Sequence, residues 1–339
     1  MVGGVPVGGG SPVTVQSMLN VPADKIPDGV RQAQELASAG CEILRAAIPD
    51  EAAVALIPAV KRAAPVPLVA DIHFDYRLAL AAAEAGADAI RINPGNIGSD
   101  ERIQAVAEAC KRRNIPIRIG VNSGSVPKEI LTKYGGPTPR ALAESALYHA
   151  SLLEKFGFFD LVLSVKSSDV ETTIEANRIV SEKCDYPLHL GVTEAGTERM
   201  GIIKSSIGIG SLLRGGIGDT IRVSLTADPV KEVEAGIDIL KALGLRGGVR
   251  IVSCPTCGRT GIDLIPLTKE VEKRLAGCKK DIAVAVMGCA VNGPGEAREA
   301  DVGIAGGDGC GLIFRKGRII RRVPENKLVD ELMREIENL

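Results

Sequence analysis

Short runs rich in Val, Ile and Leu recur along the first two thirds of the chain, at residues 13–18, 42–48, 67–73, 89–93, 116–122, 160–166, 188–194 and 220–226. Between them lie longer stretches, among them 51–64, 77–86, 102–113 and 169–183, with the composition and length of helices. Strands that alternate with helices call for a parallel sheet, and eight such units predict a closed (β/α)8 TIM barrel. Residues 229–243 read as the closing helix, and the Gly-rich segment 244–250 as a linker. The remainder, 251–339, predicts a smaller α+β domain: a helix over 268–276, a strand over 282–287, a hairpin turned at Lys316-Gly317 and a terminal helix over 325–337. The expected organisation is a substrate-binding barrel over 1–243 followed, after that linker, by a second domain over 251–339.

The polar residues are concentrated at the strand ends. In order they are Gln16 and Ser17; Arg45; Asp71 and His73; Arg91 and Asn93; Arg118 and Asn122; Ser164 and Lys166; His189, Thr193 and Glu194; and Arg222 and Ser224. Barrel enzymes place their sites at the carboxyl ends of the strands. Arg45, Arg91, Arg118, Lys166 and Arg222 would therefore ring one mouth, where like charges repel unless an anion sits among them. Arginine forks match phosphate oxygens, which makes a diphosphate the natural ligand. Any one of these cations could instead pair with a neighbouring carboxylate. Glu194 ends a strand facing that mouth and suits proton transfer to an oxygen leaving group. His73 and His189 are better placed for chemistry than His149, which falls inside a long helix and reads as a surface or packing residue.

A second set of chemical residues lies in the terminal unit. Two segments, Ser253-Cys254-Pro255-Thr256-Cys257-Gly258-Arg259 and Gly288-Cys289-Ala290-Val291-Asn292-Gly293-Pro294-Gly295-Glu296, set three thiols and a carboxylate among turn residues. A Cys-x-x-Cys pair joined by a distant third suits an iron–sulfur cluster, which leaves a role for Glu296. Structural zinc, with Cys278 or Cys310 completing the shell, fits the pattern equally well. A dithiol redox pair lacks its βαβ context. Cys41, Cys110 and Cys184 read as ordinary packing thiols.

Composition narrows the classes further. Lys and Arg (41) nearly balance Asp and Glu (42), no basic block is present, and aromatics make up only 3 %, so nucleic-acid binding is not expected. Neither an export signal nor a membrane-length apolar run is visible, which points to a cytoplasmic protein with reduced thiols. Gly208-Ile209-Gly210 does not complete a dinucleotide fingerprint.

With those residues laid out, the chain resembles the bacterial 4-hydroxy-3-methylbut-2-enyl diphosphate synthase family of the methylerythritol phosphate route to isoprenoids. The segments that carry the resemblance include Val15-Gln16-Ser17-Met18, Asp71-Ile72-His73-Phe74-Asp75, Arg91-Ile92-Asn93-Pro94-Gly95-Asn96, Gly191-Val192-Thr193-Glu194-Ala195-Gly196 and both cysteine segments. They run through nearly the whole chain in the family's order. The resemblance implies a [4Fe-4S] cluster on Cys254, Cys257 and Cys289 with Glu296 as fourth ligand. It also implies reductive dehydroxylation and ring opening of 2-C-methyl-D-erythritol 2,4-cyclodiphosphate, with Glu194 as acid/base residue. The diphosphate would lie among Arg45, Arg91, Arg118, Lys166 and Arg222, near Asn122, Ser224, Asp71 and His73. Flavodoxin or ferredoxin would supply the electrons, and a head-to-tail homodimer would bring one cluster domain over the other subunit's barrel. The first βα loop, residues 19–27, departs from the family's Thr-rich segment, and Ala290 stands where Val is common. Two other classes compete: a pterin-type barrel transferase, which leaves the cysteines unexplained, and a non-catalytic metal or redox sensor, which has no use for a cationic mouth.

Overall fold

The structure is a computed structural model that describes residues 1–290, 293–307 and 309–339; Val291 and Asn292 of the second cysteine segment lie outside the described residues. The chain divides into two compact units, Met1–Leu243 and Gly244–Leu339.

In the first unit eight parallel strands form one sheet: β1 (Thr14–Met18), β2 (Ile43–Ala47), β3 (Leu68–Asp71), β4 (Ala89–Ile92), β5 (Ile117–Asn122), β6 (Leu161–Lys166), β7 (His189–Leu190) and β8 (Thr220–Ile221). They run in the order β6-β5-β4-β3-β2-β1-β8-β7. A bridge between Leu163 and Leu188 joins the two ends, and the Leu163 N–H donates to the Pro187 carbonyl at 2.9 Å. The sheet is therefore a barrel. Residues alternate in and out along each strand, so Ile90, Ile92, Ile117 and Ile119 turn outward into the core shared with the helices. Inward, Val2, Ile43, Val69 and Ala89 close the floor, with Val2 carried there by a tight turn whose two backbone bonds to Val5 measure 2.8 and 2.9 Å.

The last two barrel strands are far shorter than the runs 188–194 and 220–226. Their backbone donors go elsewhere. The Leu225 N–H donates to the Glu232 carboxylate at 3.0 Å, and the Thr193 N–H to the Ser167 carbonyl at 3.1 Å. A side chain thus takes a donor that a longer ladder would have used. Among the described residues, no helix is long and apolar enough to cross a membrane.

The second unit is a five-stranded sheet of β9 (Val249–Ser253), β10 (Ile282–Met287), β11 (Val302–Gly306), β12 (Cys310–Arg315) and β13 (Arg318–Pro324), ordered β13-β12-β11-β10-β9. Helices Leu264–Leu275 and Leu328–Glu337 cover one face. The opposite face carries Ala285, Met287, Leu312 and Phe314, and Cys254 packs there. β9 begins inside the segment read as linker, because Val249 pairs with Ile282 and Arg250 reaches Asp281 at 2.8 Å. The helix expected from residue 268 starts at Leu264, a buried residue. β11 had no clear apolar signal. Its Gly303 leaves room for the Phe314 ring, to which an added Cβ would come within 2.4 Å. Lys316 and Gly317 both have positive φ, as a two-residue hairpin turn requires.

Candidate active site

The barrel brings Arg45, Arg91, Arg118, Lys166 and Arg222 around one cavity of about 90 Å³, which Asn122, Ser164 and Ser224 also line. Three of the cations have acidic partners. Arg45 and Arg91 each stand 3.1 Å from the buried Asp71 carboxylate, and Arg222 is 3.2 Å from the buried Glu232. Among the described residues the other two have none. Arg118 donates to the Gln16 amide oxygen at 2.7 Å, and the Lys166 ammonium sits 3.2 Å from His189 Nε2. Five cations thus face two paired carboxylates.

The electrostatics follow from that imbalance. Burial alone would raise the Asp71 carboxyl, but Arg45, His73 and Arg91 overcome it and hold the group well below the usual carboxylate range. Burial and the fields of Arg222, Arg45 and Arg118 push the Lys166 ammonium well below its ordinary value. His189 is driven down by burial and then by Lys166 and the surrounding arginines. Arg45 is lowered to about 10, chiefly by burial, and stays charged at neutral pH. Burial and neighbouring arginines also lower Arg118, whose guanidinium is too basic to lose its proton there.

Two glycines make this crowding possible. An added Cβ on Gly120 would lie 2.4 Å from Arg91 Nε, and one on Gly191 would lie 2.6 Å from Lys166 Nζ. Both positions face inward, so a side chain at either would occupy the space a cation now fills.

The remaining candidates are distributed less tightly. The His73 side chain is 54 % exposed and reaches Asp71 Oδ2 at 3.4 Å, outside the cavity wall. Glu194 is exposed on a left-handed residue (φ 51°) after β7, while its neighbour Thr193 lines the cavity. Of the two readings of His149, packing holds and surface does not: it is wholly buried, neither ring nitrogen has a partner among the described residues, and burial lowers it to about 4. Glu232 was missed in the sequence. Its signal was its place on the barrel-facing stripe of helix Pro229–Ala242, which also buries Pro229, Val233, Gly236 and Ile239. Cys41 and Cys110 are buried, and desolvation pushes both thiols up to about 12.

In the second unit the loop after β9 lies against the end of β10. The Gly288 N–H donates to Cys254 Sγ at 3.1 Å, and the Gly261 N–H to the Gly288 carbonyl at 2.9 Å. The segments bearing Cys254 and Cys289 are thereby neighbours. Cys257 is exposed, as is Glu296 at the end of the short helix Gly293–Glu296. Among the described residues, no three His, Cys, Asp or Glu side chains form a ready single-ion site. The donor set nevertheless suits iron and sulfide: three thiols, one carboxylate, and a backbone N–H already directed at a sulfur, the kind of outer hydrogen bond that tunes thiolate ligands.

An eight-stranded parallel barrel with a cationic mouth, followed by a small cysteine-bearing α+β domain, defines a two-domain TIM-barrel enzyme. Residues 1–237 match the GcpE TIM-barrel domain and residues 250–338 the GcpE protein C-terminal domain. The chain belongs to the GcpE family. It is 62 % identical over 339 residues to a protein of Clostridium perfringens named 4-hydroxy-3-methylbut-2-en-1-yl diphosphate synthase (flavodoxin), covering 100 % of this chain and 97 % of that one. A protein of the same name from Caldanaerobacter subterraneus subsp. tengcongensis is 59 % identical, with 100 % and 96 % covered. Among solved structures, dihydropteroate synthase of Xanthomonas albilineans superposes with a TM-score of 0.51 at 14 % identity, over 69 % of this chain and 92 % of that one. That likeness is one of fold alone.

Proposed function

We propose that this chain converts 2-C-methyl-D-erythritol 2,4-cyclodiphosphate to 4-hydroxy-3-methylbut-2-enyl diphosphate in the non-mevalonate isoprenoid pathway. Two electrons and two protons enter. The ring carbon–oxygen bond to the diphosphate and a carbon–hydroxyl bond break, a carbon–carbon double bond forms, and water leaves. The observation that carries this reading is the uncompensated charge at the mouth, in a chain whose relatives are named for a diphosphate product.

In this reading the diphosphate lies among Arg45, Arg91, Arg118, Lys166 and Arg222, with Asn122 and Ser224 as hydrogen-bonding neighbours. Asp71 fixes Arg45 and Arg91, Glu232 fixes Arg222, and His73 braces Asp71. Ring opening adds negative charge to the diphosphate arm, and that charge meets cations already oriented for it. Glu194 delivers a proton to the departing hydroxyl from the loop after β7. Cys254, Cys257, Cys289 and Glu296 would hold a [4Fe-4S] cluster, which when bound supplies single-electron transfer and a Lewis-acidic iron. Flavodoxin, named for the relatives, is the proposed electron donor, with ferredoxin as the alternative. A head-to-tail homodimer in the cytoplasm completes the proposal.

The test is an anaerobic assay of the cyclodiphosphate with dithionite or reduced flavodoxin, following the linear diphosphate. Product is expected from brown protein carrying about four irons per chain. Protein with that iron content and no product under either reductant would overturn the reading.

A further inference from the structure

We propose that Gln16 and His189 set the charge of the mouth, each holding a cation through a neutral acceptor at a position where an acidic residue would quench it. The inference rests on the diphosphate reading and adds to it the residues that leave positive charge available to the anion.

The contrast between partners carries the argument. Arg45, Arg91 and Arg222 are fixed by the carboxylates of Asp71 and Glu232, which also offset their charge. Arg118 is fixed differently. Its Nη1 donates to Gln16 Oε1 at 2.7 Å, and its Nη2 is buried with no partner among the described residues. Gln16 is itself only 4 % exposed, and its Nε2 donates to Thr220 Oγ1 at 2.8 Å, whose hydroxyl donates on to the Thr14 carbonyl at 3.2 Å. The amide is thereby oriented at both ends, with its oxygen towards the guanidinium. Lys166 repeats the scheme. A Lys166 ammonium can only donate, so when charged it would donate to His189 Nε2 at 3.2 Å and keep the ring proton on Nδ1, which is buried with no partner among the described residues. Arg118 on β5 lies opposite Val162 and Lys166 on β6 opposite Asn122, four positions further along the ladder, and both side chains line the one cavity.

A glutamate at position 16 has the length of glutamine and would make a charge-assisted bond to Arg118, with the Thr220 hydroxyl turning to donate to its second oxygen. Folding would gain from the exchange. Anion binding would lose, because Arg118 would then be neutralised from within. Gln16 and His189 are thus positioning residues whose neutrality matters as much as their reach.

The experiment uses anaerobically purified full-length protein with inorganic pyrophosphate as probe, read by calorimetry and by thermal denaturation. For Gln16→Glu, pyrophosphate affinity is expected to fall about tenfold or more, while the ligand-free Tm holds or rises. For Gln16→Met, which keeps length but loses the acceptor, affinity is expected to fall only a few-fold and Tm to drop. His189→Glu should repeat the first signature at Lys166. Affinity of Gln16→Glu within about twofold of the wild type would overturn the inference, as would a Tm several degrees lower, since packing would then be its role. Wild-type protein that does not bind pyrophosphate would overturn the diphosphate reading itself, a separate failure.

Discussion

Lys166 shows how much of this site's behaviour resides in one side chain. Among the described residues no carboxylate pairs with its ammonium, and burial together with Arg222, Arg45 and Arg118 depresses its proton affinity. A bound phosphate oxygen reverses that balance by favouring the charged form. Between the depressed free-state value and the raised bound-state value, Lys166 is the cation that His189 holds only in the anion complex, and binding is linked to proton uptake. Through that window affinity weakens as pH rises; below it Lys166 is already protonated and the linkage disappears. Calorimetric titration with pyrophosphate in buffers of different ionisation enthalpy is expected to report uptake of up to about one proton per site. Lys166→Arg, charged throughout, should abolish the uptake. The positions of Arg118 and Lys166 were legible in the sequence as inward-facing polar residues of strands, but only Lys166 ends its strand, whereas Arg118 is the second residue of β5. Their neutral partners were not: Gln16 and Arg118 are 102 residues apart, and no local pattern distinguishes a partner amide from a wall amide.

At the scale of elements, β5 carries the most information. Arg118, Gly120 and Asn122 occupy successive inward positions, so the strand supplies a cation, a gap and a hydrogen-bonding amide in one row. The gap is filled from β4 by Arg91. Gly120→Ala would force a Cβ to within 2.4 Å of the Arg91 guanidinium, and either that side chain or the strand must move. A destabilisation of about 1–3 kcal/mol is expected from overpacking, together with a rise in the KM for the cyclodiphosphate as Arg91 is displaced. Denaturant titration and steady-state kinetics check the two effects separately. The strand's apolar run was readable. The reason for its glycine was not, since it depends on a neighbour's side chain crossing over it. The same limit explains β7 and β8, whose runs looked long but whose backbone donors are taken by Ser167 and Glu232.

For the whole molecule, the sequence resolved two units because each has its own apolar periodicity and its own chemistry. The anion cavity is lined entirely by residues of Met1–Leu243, whereas the three cysteines and Glu296 belong to Gly244–Leu339. Removing iron with a chelator is therefore expected to abolish turnover while leaving the pyrophosphate-induced rise in Tm close to that of the untreated protein. Loss of both together would mean that the metal supports the barrel as well as the chemistry. What the sequence concealed at this scale was the internal wiring of each unit: the β9 edge beginning inside an apparent linker, and a Gly-bearing strand, β11, shaped to admit Phe314.

The joint between β6 and β7 has a mechanical meaning. Most of the barrel wall is held by ladders of three to six paired residues, but here one bridge, Leu163 to Leu188, and one further bond from the Thr193 N–H to the Ser167 carbonyl complete the ring. Lys166 stands on one side of that joint and His189 on the other. The barrel hoop is thus fastened at its lightest point by the same pair that supplies a charge to the mouth. An anion gripped by Lys166 on β6 and by Arg222 just past β8 would span the joint from above, so that the ligand acts as a clasp on the hoop as well as a guest within it.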